Sequence, residues 1–203
     1  MTTESHPETP ADALHALLAG NERHRAGDRH LRTHSPLGER HEEGQQPFAA
    51  IIACADSRVS PALIFGLDRG NLFVSRVAGN TVDTGTLGST EYAVAVLGVR
   101  LVMVLGHSDC GAVKEALEVT NATKSYPAER YGSIGPLVDA VVPSVESLPD
   151  DQRTLPNCVA ANARAQASKL AGTDPIISPA VASGSLRVVA AVYEIESGRV
   201  VLL

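Results

Sequence analysis

The chain has 203 residues, 44% of them hydrophobic, which suits one domain with a sizeable core. Its formal net charge of −6, with no Lys/Arg run to offset it, argues against nucleic acid or an anionic membrane as the main partner. With no Trp, three Phe and four Tyr, the core has to be built from Val, Leu, Ile and Ala.

Residues 1–10 read as a flexible polar tail without the basic-then-apolar order of a signal peptide, and residues 11–203 as one domain. Thr9-Pro10 opens a helix with Pro in its first turn. Leu14, Leu17 and Leu18 give that helix an apolar face ahead of Gly20-Asn21 and the basic stretch Arg23 to Arg32. Residues 33–47 show no period and predict a loop; His24, His30, His34 and His41 read as solvated loop histidines. Phe48–Ala53, Leu72–Val77, Leu101–Leu105 and Leu186–Val192 are short runs rich in Val, Ile and Leu. Such runs mark strands buried on both faces.

Between the strands, helices are predicted at Pro61–Phe65, Thr86–Leu97, Gly111–Val119 and Val159–Ala171. The alternation predicts an α/β fold with a mostly parallel sheet of four strands flanked by helices. Tyr193–Leu203, with Ser197-Gly198 as its turn, adds a hairpin and an edge strand. Residues 120–157 scatter Pro and charge without a period, and no element is predicted there. The longest apolar stretch, Tyr92–Gly106, is broken by Arg100 and falls short of the roughly 20 residues that span a bilayer. Three unevenly spaced cysteines make no disulfide framework and fit a reducing compartment, so the expected location is cytoplasmic.

In open parallel sheets, ligands gather at the carboxyl ends of the strands. Cys54 ends the first predicted strand, and His107 and Cys110 follow the third. Two sulfurs and a nitrogen suit zinc better than magnesium or calcium, which prefer oxygen. Cys54 and Asp56 share one side of extended chain, while His107 and Cys110 are about one helical turn apart. Cys110 stands where a helix begins, and the positive end of the helix dipole favours its thiolate. Cys158, alone among apolar residues, reads as packing.

Three ligands leave a potential open position, the mark of a catalytic rather than a structural zinc. Asp56 as a fourth ligand would close that position and make a site with two thiolates net negative. Arg58 can draw Asp56 away in a bidentate pair, leaving the carboxylate to accept or orient a proton of water.

Cys54-Ala-Asp-Ser-Arg-Val59 and Gly106-His-Ser-Asp-Cys-Gly-Ala-Val113, with the intervening Phe-Val-Ser-Arg-Val-Ala-Gly-Asn at 73–80 and Glu-Tyr-Ala-Val at 91–94, resemble the β-class carbonic anhydrases over about residues 12–200. The resemblance implies reversible hydration of carbon dioxide. Cys54, His107 and Cys110 would hold one Zn2+ per chain, with Asp56 as an exchangeable fourth ligand and Arg58 as its partner. It also implies that Gln45, Phe73 and Tyr92 line the carbon dioxide pocket, partly from a neighbouring subunit, and that the Gly111 backbone lies near the reacting ligand. A homodimer or dimer of dimers, wrapped by the Leu14/Leu17/Leu18 helix, follows from the same likeness. Family members with an inhibitory bicarbonate pocket carry a Trp where this chain has Ile51, while Arg76 and Tyr193 match that pocket's other two residues. Two alternatives remain open: a carbonyl sulfide or carbon disulfide hydrolase on this scaffold, or a catalytically silent zinc-binding sensor.

Overall fold

A computed structural model describes residues 6–27 and 44–203. The expectations for the start of the tail, for most of the 33–47 loop and for His30, His34 and His41 lie outside the described residues. The first helix, α1 (Pro10–Arg25), opens on a reciprocal cap. The Thr9 hydroxyl accepts from the Asp12 N–H at 3.1 Å, and the Asp12 carboxylate accepts from the Thr9 N–H at 3.2 Å. The helix continues through Gly20-Asn21 and takes His24 into its last turn, so His24 is helical rather than a loop residue.

Two residues explain why α1 lies on its own chain. A side chain at Gly20 would place its Cβ 2.0 Å from the Phe65 carbonyl oxygen, so only glycine permits this approach. Buried Asn21 donates to the carbonyls of Ile64 (3.1 Å) and Gly198 (2.9 Å) and accepts from the Val200 N–H (2.9 Å). Leu14 and Leu17 are buried with Phe65, Met103 and Val200 of the same chain. Leu14 and Leu17 are thus covered within their own chain, and Leu18 packs partly against the same cluster.

Next come β1 (Ala49–Ala53), α2 (Pro61–Ile64), β2 (Leu72–Arg76), α3 (Thr84–Ala95), β3 (Leu101–His107) and α4 (Gly111–Thr120). Three short helices follow, α5 (Ala128–Tyr131), α6 (Ile134–Asp139) and α7 (Val142–Glu146). The chain closes with α8 (Leu155–Ala171), α9 (Ile177–Ala182), β4 (Arg187–Glu194) and β5 (Arg199–Leu202). The sheet order is β2-β1-β3-β4-β5, parallel except for the β4–β5 hairpin. This is the expected α/β architecture of four parallel strands plus an edge strand.

Every residue of β1 and β3 is buried, because both strands are central and covered on both faces. Ala49, Ile51 and Ala53 pack toward α1 and α2, while Ala50 and Ile52 pack toward α3, α8 and α9. A third apolar cluster, with Val113, Val138, Val145 and Cys158, joins α4, α6, α7 and α8 at the carboxyl end of the sheet.

The stretch 120–157 holds α5 to α7 and a 3-10 turn at Asp150–Gln152, none of them predicted. Helices of four to six residues are too short to display a 3.6-residue period. Helix α8 starts at Leu155, ahead of the predicted Val159, because Thr154 caps it through the Asn157 N–H and Pro stands in its first turn. No helix among the described residues is long and apolar enough to cross a membrane.

Candidate metal centre

Cys54 is the first residue beyond β1, His107 the last of β3, and Cys110 caps α4. The turn between the latter two needs Asp109 in a left-handed conformation (φ 56°), which Asp tolerates better than most residues. The two sulfurs end 3.9 Å apart, and they and a His107 ring nitrogen all lie within 4.8 Å of one another. All three residues are buried.

The tautomer of His107 follows from its surroundings. Nδ1 lies 2.9 Å from the Ser108 carbonyl oxygen, which can only accept, so Nδ1 carries the proton and Nε2 a free lone pair. Nε2 is buried and has no hydrogen-bond partner among the described residues. A buried acceptor left bare is costly, and two sulfurs beside it make a cation the natural occupant.

The two sulfurs lie within hydrogen-bonding distance of each other. Their mutual hydrogen bond pulls the Cys54 thiol down, and the same bond together with burial pushes Cys110 up. Burial opposes a charge on His107, yet the nearby Cys54 sulfur, the Ser108 carbonyl and the Asp56 carboxylate prevail and raise its pKa. A divalent cation held by the three would take them as thiolates and neutral imidazole, the forms that ligate metal.

Asp56 is turned toward Arg58. The guanidinium donates from Nε to Oδ1 at 3.0 Å and from Nη2 to Oδ2 at 2.8 Å, and the Arg58 backbone N–H adds a third bond at 2.9 Å. These bonds hold the carboxyl well below the usual carboxylate range. Its Oδ2 still lies 4.0 Å from His107 Nε2, at the margin of the ligand group.

Arg76 has a part that the sequence did not reveal. Its Nε donates to the Cys54 carbonyl (3.1 Å) and its Nη2 to the Asp56 carbonyl (2.5 Å), so it braces the backbone that carries both residues. Arg76 pairs with Ala53 in the parallel register, which places it beside the residue before Cys54.

Gln45, Phe73 and Tyr92 stand elsewhere. Phe73 pairs with Ala50, four residues before Cys54, or about 13 Å at roughly 3.3 Å per residue. The Phe73 and Tyr92 rings lie 6.3 Å apart, and Tyr92 is 48% exposed, one helical turn before exposed Val96. Gln45 is exposed and lines a pocket of about 310 Å³ with His6, Pro47, Val96 and Leu97. Gly111, by contrast, is the first residue of α4, next to Cys110. Cys158 is fully buried in the apolar cluster at the carboxyl end of the sheet, as expected of packing.

The carbonic anhydrase family model matches residues 49–200, well over half of the chain. Carbonic anhydrase 2 of Mycobacterium tuberculosis is 38% identical over 198 residues, 95% of this chain and 92% of that protein. The chain belongs to the carbonic anhydrase family. The carbonic anhydrase of Mycolicibacterium smegmatis is 33% identical over 196 residues, covering 95% of this chain and 93% of its own length.

Solved structures place this carbonic anhydrase in the β class, and so among the lyases. The β-carbonic anhydrase CcaA aligns with a TM-score of 0.70 at 30% identity, over 93% of this chain and 94% of that one. A tetrameric β-carbonic anhydrase from Sordaria macrospora aligns with a TM-score of 0.70 at 26% identity, over 95% and 97%.

Proposed function

We propose that the chain catalyses zinc-dependent, reversible hydration of carbon dioxide to bicarbonate and a proton. One Zn2+ per chain is held by Cys54, His107 and Cys110. The observation that carries this reading is the bare, buried Nε2 of His107 facing two sulfurs, a donor set that fits zinc. Bound there, zinc supplies a Lewis acid that lowers the pKa of water. Ser108 fixes the His107 tautomer, and Arg58 keeps Asp56 turned aside. Asp56 can then accept or orient the proton that water gives up. The Gly111 backbone, at the amino end of α4, offers a donor toward the product oxyanion.

Gln45, Phe73 and Tyr92 complete the carbon dioxide pocket of a second copy in a homodimer or dimer of dimers. Two facts support this: the strand register sets Phe73 about 13 Å along the sheet from Cys54, and Tyr92 and Val96, one helical turn apart, are exposed apolar residues. Sedimentation should show particles at least twice 21.2 kDa. A stable, fully active monomer would overturn the shared pocket. Residues 11–203 act as one catalytic domain, supported by a single five-stranded sheet. Three free, buried cysteines support a reducing, cytoplasmic setting.

The deciding assay compares kcat/KM for carbon dioxide hydration and carbonyl sulfide hydrolysis on one zinc-replete preparation. Carbon dioxide is expected to win, although size differences of this order give only about 10–200-fold discrimination. Tenfold preference for carbonyl sulfide makes the chain a hydrolase of sulfur isosteres. Silence toward both at about pH 8.5 makes it a zinc-binding sensor.

A further inference from the structure

We propose that Asn162 is a positioning residue of the metal centre, acting through Gly79, whose N–H it keeps aimed at Cys54. The inference rests on the reading that Cys54 is a zinc ligand.

The loop leaving β2 is tied to the exit of β1 by Val77 N–H to the Ala53 carbonyl (3.1 Å) and Ala55 N–H to the Val77 carbonyl (3.3 Å). It then turns through two left-handed residues, Gly79 (φ 73°) and Asn80 (φ 46°). In this conformation the Gly79 N–H points at Cys54 Sγ, 3.4 Å away, and the Gly79 carbonyl points the opposite way into α8. Glycine rotates out of such a conformation more readily than any other residue, so something has to hold it.

The holder is Asn162. It is fully buried, and its Nδ2 donates to the Gly79 carbonyl at 2.8 Å. Its own orientation is set from behind: Oδ1 accepts from Gln166 Nε2 (3.4 Å) and shares with the Val141 carbonyl (2.6 Å) the single proton of Ser144 Oγ (3.2 Å), which leaves Nδ2 for the loop. One turn further along α8, Gln166 Oε1 accepts from the Val82 N–H (2.8 Å), and Lys169 donates to the Val82 carbonyl (2.7 Å). Positions 162, 166 and 169 share one helix face, so α8 grips the loop at both ends. Val141 and Ala112 close the other side: a Cβ on Gly79 would come within 3.1 and 3.2 Å of them.

A backbone N–H on a thiolate takes up part of its charge. The sulfur then gives less charge to a metal, which stays a stronger Lewis acid, and the N–H also fixes where the sulfur lone pairs point. In a site with two thiolates, both effects bear directly on the metal. Losing an outer partner of this kind typically weakens metal binding by about 10–100-fold.

Asn162→Ala is therefore expected to weaken zinc binding about tenfold or more in chelator competition. It should also shift the sulfur-to-metal charge-transfer band of the cobalt-substituted protein. Val138→Ala, a cavity in the neighbouring apolar cluster, should lower thermal stability while leaving affinity and band unchanged. Asn162→Ser provides the same comparison if the alanine variant does not fold. The unsubstituted protein loaded with cadmium-113 should show scalar coupling between the metal and the Gly79 amide proton, a readout that needs no variant. Unchanged affinity and band in a folded Asn162 variant, or no coupling at Gly79, overturns the inference. Failure of the unsubstituted chain to bind zinc through Cys54 would instead overturn the parent reading.

Discussion

Cys54→Ser is expected to hold less than a tenth of the zinc carried by the unsubstituted chain, and to lose hydration activity in proportion. A serine hydroxyl does not ionise near neutral pH, so the substitution removes a full ligand and its charge. Loss of an outer partner already costs about 10–100-fold in affinity, and loss of a ligand should cost more. The geometry sharpens the expectation. Cys110 is 3.9 Å from Cys54, and without that sulfur the buried, unpartnered Nε2 of His107 is left with one sulfur in the group instead of two. Cys158→Ser is the matching control, because Cys158 lies in the same cluster yet stands outside the ligand group. It should keep full zinc while losing some thermal stability. Elemental analysis of the purified variants decides the matter, and full zinc in Cys54→Ser would remove the ligand assignment.

Arg58→Ala is expected to retain its zinc and to lose about a hundredfold or more in kcat, the scale on which a positioned proton acceptor contributes. The Arg58 fork and backbone N–H are what turn Asp56 away from the ligand group, yet Asp56 remains 4.0 Å from His107 Nε2. Freed of the guanidinium, the carboxylate has a cation within reach and becomes a fourth ligand. The pH dependence has a definite sign. Because Arg58 depresses the Asp56 pKa, the pair is complete above the ordinary carboxylate pKa and is lost only as pH falls through the depressed value. Asp56 is thus ionised throughout the neutral range in both proteins, and raising the pH cannot rescue the variant through it. With half of the Arg58 side chain exposed, the pair adds little to stability, so the variant should fold normally. Arg58→Lys should recover part of the rate at most, since an ammonium lacks the planar fork. Normal turnover by Arg58→Ala at about pH 8 would remove the role of Arg58 in holding Asp56 off the metal.

Much of this protein is written locally. The runs that became β1 and β3 are apolar at every position because both faces are covered, and a run of that kind needs no tertiary knowledge to be read. Cys54, Asp56, His107 and Cys110 follow directly from where those runs stop, since a parallel sheet gathers its strand ends at one edge. The Asp56–Arg58 pair spans two residues, so its geometry is contained in the motif itself.

What the tertiary structure alone decided lies in contacts between distant parts of the chain. Asn162 and Gly79 are 83 residues apart, and Asn162 sits in a helix whose apolar pattern says nothing about where its amide points. The residues α1 packs against came from Gly20 meeting the Phe65 carbonyl and from Asn21 reaching Gly198 and Val200, contacts that no periodicity encodes. Arg76 braces Cys54 only because β2 happens to be the neighbour of β1 in this register. Side-chain type and spacing determine which chemistry can form at a strand end; hydrogen bonds across the fold determine how that chemistry is held, and their partners are chosen by packing rather than by sequence distance.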